Sequence, residues 1–257
     1  LQHEKKERTK IKRIALVLAS LLSLSTLFAC SNQQNSEPPT SSKDKAVISK
    51  ENTDSKSSNL PSVIKSQFPD EAPARIIDKV NNTISIRAEI QTDEGILRVE
   101  SKGPEEIGHL DAPSIYGQAG DLTFQSNYIL IYGQDNKKQI VKELPALTFI
   151  QPSDQPISFH KVHFKETDVY LLTPQYQAAH GYTFYAVAIG KGSGKAVPLS
   201  FVYDSVKLDS YNYSDKEHLP YNKKDLFIVK PGISAGSDDT KEKQFQLDLE
   251  KGEFIAK

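Results

Sequence analysis

From Thr83 to Ile90 the chain alternates apolar and polar residues, with Ile84, Ile86, Ala88 and Ile90 on one face and Thr83, Ser85, Arg87 and Glu89 on the other. A period of two places successive side chains on opposite sides of a strand, so this segment predicts a half-buried strand with the isoleucines inward. Asp93-Glu94-Gly95 supplies a turn before Ile96–Glu100, which makes the pair a hairpin. Tyr128–Tyr132 and Gln139–Leu144 repeat the pattern across Gly133-Gln134-Asp135-Asn136. Gln244–Glu250 places Phe245, Leu247 and Leu249 inward, then Lys251-Gly252 turns the chain into a last strand ending at Ala256. Further strands are expected at Leu147–Gln151, Ile157–Phe164, Asp168–Thr173, Tyr182–Ile189, Ala196–Tyr203 and Leu226–Val229. Two segments led by proline, Pro73–Val80 and Pro104–Leu110, predict short helices.

Residues 60–257 are therefore expected to form a mainly β domain, an antiparallel sheet or sandwich with one or two short helices. A parallel sheet needs crossover helices that the pattern does not supply. A propeller needs a repeat of about 40–50 residues, and no such period occurs. The prolines at 145, 152 and 156 mark a candidate division into two small β lobes, but one domain is the preferred reading.

Ahead of this region the pattern changes. Lys5, Lys6, Arg8, Lys10, Lys12 and Arg13 precede an apolar run from Ile14 to Phe28, whose 15 residues fall short of the ~20 of a spanning helix. Ser20, Ser23, Ser25 and Thr26 weaken it further as a span, and the order of charge, apolar run and small-residue exit is that of a secretory signal. Leu27-Phe28-Ala29-Cys30 resembles the signal of bacterial lipoproteins, with Phe28 a tolerated departure. The resemblance implies a diacylglycerol joined by thioether to the Cys30 sulfur and cleavage between Ala29 and Cys30. The mature chain would then sit on the extracytoplasmic face of the cell membrane, held by lipid. A thiol suits that chemistry because its thiolate is a strong nucleophile near neutral pH. The chain opens on Leu1 and contains no methionine, which is the pattern of a UUG start codon read literally and points to a Gram-positive host.

Residues 30–59 are then the lipidated cysteine and a tether, almost all Ser, Asn, Gln, Glu, Pro, Thr, Lys and Asp. Such a stretch cannot bury enough surface to offset chain entropy, so disorder is expected, with a reach of roughly 30 Å for a coil of this length. Without the leader the chain carries 26 basic and 31 acidic residues, formally five negative, which argues against nucleic acid as a partner. Cys30 is the only cysteine, so no disulfide contributes.

Candidate chemistry is sparse. Gly190-Lys191-Gly192-Ser193-Gly194-Lys195 has the look of a phosphate loop but lacks its opening glycine and its hydroxyl, and reads as a hairpin turn. His160 and His163 lie three apart in a strand and would face opposite sides, which excludes joint chelation; His180 and His218 add no ligand spacing. Asp238-Asp239 lacks the alternation of a calcium loop. No Gly-x-Ser-x-Gly elbow occurs. No cofactor, metal site or catalytic residue is assigned.

Eight of the eleven tyrosines, at 170, 176, 182, 185, 203, 211, 213 and 221, fall within 52 residues. Tyrosine combines an apolar face with a hydroxyl and suits both recognition surfaces and strands. The loop Pro174–Gly181 is polar, uncharged and aromatic, so Tyr176 and His180 are the candidate binding rim, whereas Tyr185 beside Val187 and Ile189 is expected in the core. The expectation is a lipid-anchored, non-catalytic binding, sensing or interaction module facing a protein or glycan of the envelope. A cell-wall or glycan hydrolase is the alternative.

Overall fold

The computed structural model describes residues 63–69, 74–134, 137–214, 216–232 and 241–257. The leader, Cys30, the tether 30–59 and Asp238-Asp239 lie outside the described residues. Residues 58–257 form one compact unit, and its described part is all β.

The first sheet is built from β1 (Arg75–Asn81), β2 (Ile86–Gln91), β3 (Ile96–Ser101), β4 (Glu105–Leu110), β5 (Leu122–Gln134) and β6 (Lys137–Gln151). Strand β4 lines up on one edge of β5 after β3, and β1 and β2 do the same against β4 and β3, so six strands make four long antiparallel arms. Each arm breaks near its middle, at residues 82–85, 102–104, 126–127 and 145–146, and the breaks are aligned. Ser101 N donates to Ser85 O, Lys102 N to Asn127 O, and Ala146 N to the Asn127 side chain. Four aligned breaks bend the whole sheet into a half-barrel.

The second sheet is a nearly closed barrel. Its strands are β7 (His160–His163), β8 (Thr167–Leu172), β9 (Tyr182–Gly190), β10 (Ala196–Tyr203), β11 (Val206–Leu208), β12 (Tyr211–Tyr213), β13 (Tyr221–Lys223), β14 (Leu226–Val229), β15 (Lys243–Asp248) and β16 (Glu253–Ala256). All pairs are antiparallel except β10 with β16. The seam between β7 and β13 is bridged through side chains: His160 Nε2 meets Pro220 O at 2.9 Å and Asn222 donates to His163 O at 2.7 Å. The interior is filled. Phe184, Phe201, Phe227, Phe245 and Phe254 are all fully buried, with Phe227 and Phe254 stacked at 4.5 Å. Burial of each ring contributes about 1.5–3 kcal/mol.

Strands β8 and β9 join the two halves. Val169, Leu171, Phe184, Ala186 and Ala188 point into the barrel, whereas Tyr170, Leu172, Val187 and Ile189 pack against Leu97, Val99, Phe124, Leu130 and Phe149 of the half-barrel. One pair of strands thus serves two cores. The expected antiparallel β domain thus takes the form of a half-barrel and a nearly closed barrel, and although the two sheets part between Gln151 and His160, beside Pro152 and Pro156, they share one core cluster. Pro145 lies inside β6, beside Ala146 with its φ of +50°.

Several expectations need correction. The segments read as helices are strands β1 and β4, paired with each other. A single short helix is marginal in water, and the pairing of Ile76, Ile77 and Val80 across to residues 105–110 satisfies the same backbone groups. In the first alternating segment Ile84 is 73% exposed, whereas Ser85 and Arg87 are buried. The register shifts between Ile86 and Ala88, and a one-residue shift exchanges the faces. Leu249, expected inward, follows the end of β15 and is exposed.

Candidate functional site

Because the barrel axis is packed, recesses lie around its ends and along the half-barrel. The loop from Thr173 to Gly181 connects β8 to β9 and borders two of them. Its start is tied to the edge of β6: Ile150 N donates to Pro174 O and the Gln175 side chain to Thr148 O. Its end is fixed by Gly181, whose φ of +105° suits glycine, and where a Cβ would stand 2.6 Å from Tyr213 O. Tyr176 reaches across to the 111–121 loop and donates its hydroxyl to Asp121, which also accepts from Gln118 N. That carboxylate, followed by burial, pushes the Tyr176 phenol up.

The recess on the barrel side, about 350 Å³, is lined by Thr173, Gln175, Tyr176, Tyr182, Tyr213, Ser214, Glu217 and Leu219. Tyr182 opens β9 and Tyr213 ends β12; the two strands pair there, and their rings stack at 5.1 Å with 28° between planes. Burial raises the Tyr213 phenol, with a Thr173 hydrogen bond pulling back. Glu217 is held below the usual carboxylate range by its hydrogen bond to Lys230. A second recess of about 250 Å³ lies on the other side of Gln175 and includes Tyr116, Gln125, Thr148 and Tyr185.

The two sequence-identified rim residues separate. Tyr176 lines the barrel-side recess, whereas His180 is exposed and lies outside its lining. Tyr185 shares a face with Val187 and Ile189 as expected, yet it is half-buried and borders the second recess. Tyr182 and Tyr213, 31 residues apart, were not singled out as a pair; the pairing of β9 with β12 brings them together. The short strands β11 and β12 carry no alternating signal long enough to reveal it.

A further groove, about 840 Å³, lies on the half-barrel face opposite Leu97 and Val99 and is lined in part by Asp93, Glu94, Arg98, Glu100, Lys137 and Lys138. Its three carboxylates are engaged: Asp93 with Lys161 at 3.6 Å, Glu100 with Lys138 at 3.8 Å, and Glu94 accepting from Gly192 N at 2.7 Å. The glycine-rich turn at 190–195 therefore joins β9 to β10 and receives an internal carboxylate. His163 and Lys161 both bind Asp168, and among the described residues no group of three or more His, Cys, Asp or Glu could hold a metal ion.

Below Arg87 lies a different kind of cluster. Glu105 accepts from Arg87 Nε and Nη2, Ser85 Oγ and the Tyr128 hydroxyl, all within 2.8 Å, while Arg87 sits 3.7 Å over the Phe124 ring. Every polar partner points at another, which leaves no position for a substrate atom and makes this a structural network.

Compared with known proteins, the chain matches no family model, no curated protein and no solved structure.

Proposed function

We propose that this chain is a membrane-anchored extracytoplasmic binding module, lipidated at Cys30, that engages a component of the cell envelope through the recess beside Tyr176 and performs no chemistry of its own. The reading of address rests on Leu27–Cys30 and the charged, apolar leader before it. The reading of binding is carried by one observation: Tyr176, Tyr182 and Tyr213, from a loop and two paired strands, converge on one recess with Thr173, Gln175 and Ser214. Aromatic rings with hydroxyl and amide neighbours are the composition of recognition sites. Two acyl chains give durable attachment at about 0.8 kcal/mol per buried methylene. A hydrolase would instead need a carboxyl held protonated near a second carboxylate, and the grooved carboxylates here are occupied by cations or backbone N–H groups.

Two measurements test this. Metabolic labelling with a fatty-acid analogue marks the wild-type protein and leaves Cys30→Ser unmarked; equal label in both would remove the anchor. Tyr176→Ala loses retention on purified cell walls and membrane extract, and undiminished retention would dismiss the recess.

A further inference from the structure

We infer that the ligand class of the barrel-side recess is an uncharged glycan, an inference that rests on the binding-module reading above. The argument starts from what a sugar ring presents, an apolar C–H face with a rim of hydroxyl donors and acceptors. The recess presents the complement. The Tyr182–Tyr213 stack supplies an aromatic wall held rigid by the pairing of β9 and β12. Tyr176 is fixed by its bond to Asp121, so its ring is set before any ligand arrives. Around that wall stand the hydroxyls of Thr173 and Ser214, the amide oxygen of Gln175, whose Nε2 already donates to Thr148 O, and the carboxylate of Glu217, whose charge is met by Lys230. The volume of about 350 Å³ lies in the range of small-ligand sites.

Charge argues against the anionic polymers. Among the described residues the lining contains no lysine or arginine, and the neighbouring Lys230 is already taken up by the one lining carboxylate, Glu217. A phosphate-rich chain would therefore meet no uncommitted cation in the described lining.

Backbone accounting argues against an added peptide strand. That mode of recognition needs a long unpaired strand edge. Among the described residues around this recess, Tyr211–Tyr213 pairs on one side with Tyr182–Phe184, Ile150 N donates to Pro174 O, and Ser214 N donates to Lys230 O. What remains open to a ligand is side-chain surface, aromatic and neutral.

The test uses the full-length lipidated protein in nanodiscs. The chain contains no tryptophan, so its intrinsic fluorescence is that of its eleven tyrosines, of which Tyr176, Tyr182 and Tyr213 line the recess. Titration with N-acetylchitotetraose, together with an array of neutral oligosaccharides, is expected to give a saturable change. Tyr182→Leu and Thr173→Val each weaken binding about tenfold, a factor equal to 1.4 kcal/mol, while Tyr182→Phe keeps the ring and retains binding. Retention by the phenylalanine variant separates lost recognition from lost folding. If no neutral oligosaccharide in the array binds, or if Tyr182→Leu and Thr173→Val bind as wild type does, the glycan assignment is overturned. Retention on cell walls that still depends on Tyr176, with every neutral glycan silent, would overturn the ligand class and leave the binding module standing. Loss of both would overturn the two readings together.

Discussion

At the scale of single residues, two buried charged groups make opposite demands on their surroundings. Glu105 is fully buried and is compensated by Arg87, Ser85 and Tyr128. Burial lowers the Arg87 basicity, but the hydrogen bonds to Glu105 and Asp154 outweigh it and hold the guanidinium charged. Arg87→Met should cost about 3–5 kcal/mol in urea unfolding, because it strands a carboxylate in the interior. Arg87→Met combined with Glu105→Gln should recover part of that loss. Asp168 behaves differently. Burial pushes its carboxyl up, yet hydrogen bonds from Lys161 and His163, with the Lys161 and Lys191 charges, bring it below the ordinary value. A depressed carboxyl stabilises the folded state above its unfolded pKa near 4, and that contribution is lost as pH falls through the lower folded value. Urea midpoints measured from pH 7 to pH 2 should therefore fall less steeply below pH 4 in Asp168→Asn than in wild type. Identical slopes would show that Asp168 does not govern the acid limb.

At the scale of elements, β9 carries the largest share of the architecture. Its even-numbered positions from Phe184 fill the barrel and its odd-numbered positions from Tyr185 face the half-barrel. The outcomes on its two faces and on its barrel-side neighbour β10 should differ. Phe201 of β10 is fully buried among four other phenylalanines, and Phe201→Ala should cost about 3–5 kcal/mol through the cavity it opens. Tyr185 borders a recess, so Tyr185→Ala has solvent to relax into and should cost nearer ~1 kcal/mol. Equal losses in chemical denaturation would mean that the second recess closes around Tyr185. Turn chemistry explains which elements pattern reading misses. Asp204-Ser205 and Lys224-Asp225 both take positive φ at their two central residues, the mirror-image hairpin turn usually marked by Asn-Gly or Asp-Gly. Neither pair carries glycine, so β11 and β13 have no local flag.

At the scale of the whole molecule, sharing β8 and β9 between two cores couples their stabilities. A chain starting at Leu60 should unfold in one transition seen alike by tyrosine fluorescence and far-ultraviolet circular dichroism. Truncation to Asp70 removes more than a tether. Ser66 Oγ and Gln67 N both donate to Glu106 at 2.7 Å, and Glu106 pairs with a nearly buried Arg75 at 2.6 Å. Loss of those two donors exposes a buried ion pair, so the shorter chain should melt several degrees lower than the one starting at Leu60. Equal midpoints would show that residues 60–69 add nothing to the fold.

Tyr128–Tyr132, Gln139–Leu144, Leu147–Gln151, Tyr182–Ile189 and Ala196–Tyr203 were legible because period-two alternation reports one buried face, a local property of the chain, whereas residues 122–127 of β5 were not read as strand. The turn at 190–195 was legible for the same reason, since glycine spacing sets backbone freedom locally. Tyr176, which lines the barrel-side recess, was singled out from its uncharged aromatic loop. What local pattern could not carry was the consequence of pairing. A register shift at Ile86–Ala88 turned Ser85 and Arg87 inward, contact with β4 made a strand of Arg75–Asn81, and aligned breaks in four arms bent a sheet that alternation alone would leave open. The stack of Tyr182 on Tyr213 belongs to the same class. Its residues are good strand formers in any context, and only the register of β9 against β12 makes them one wall of a recess.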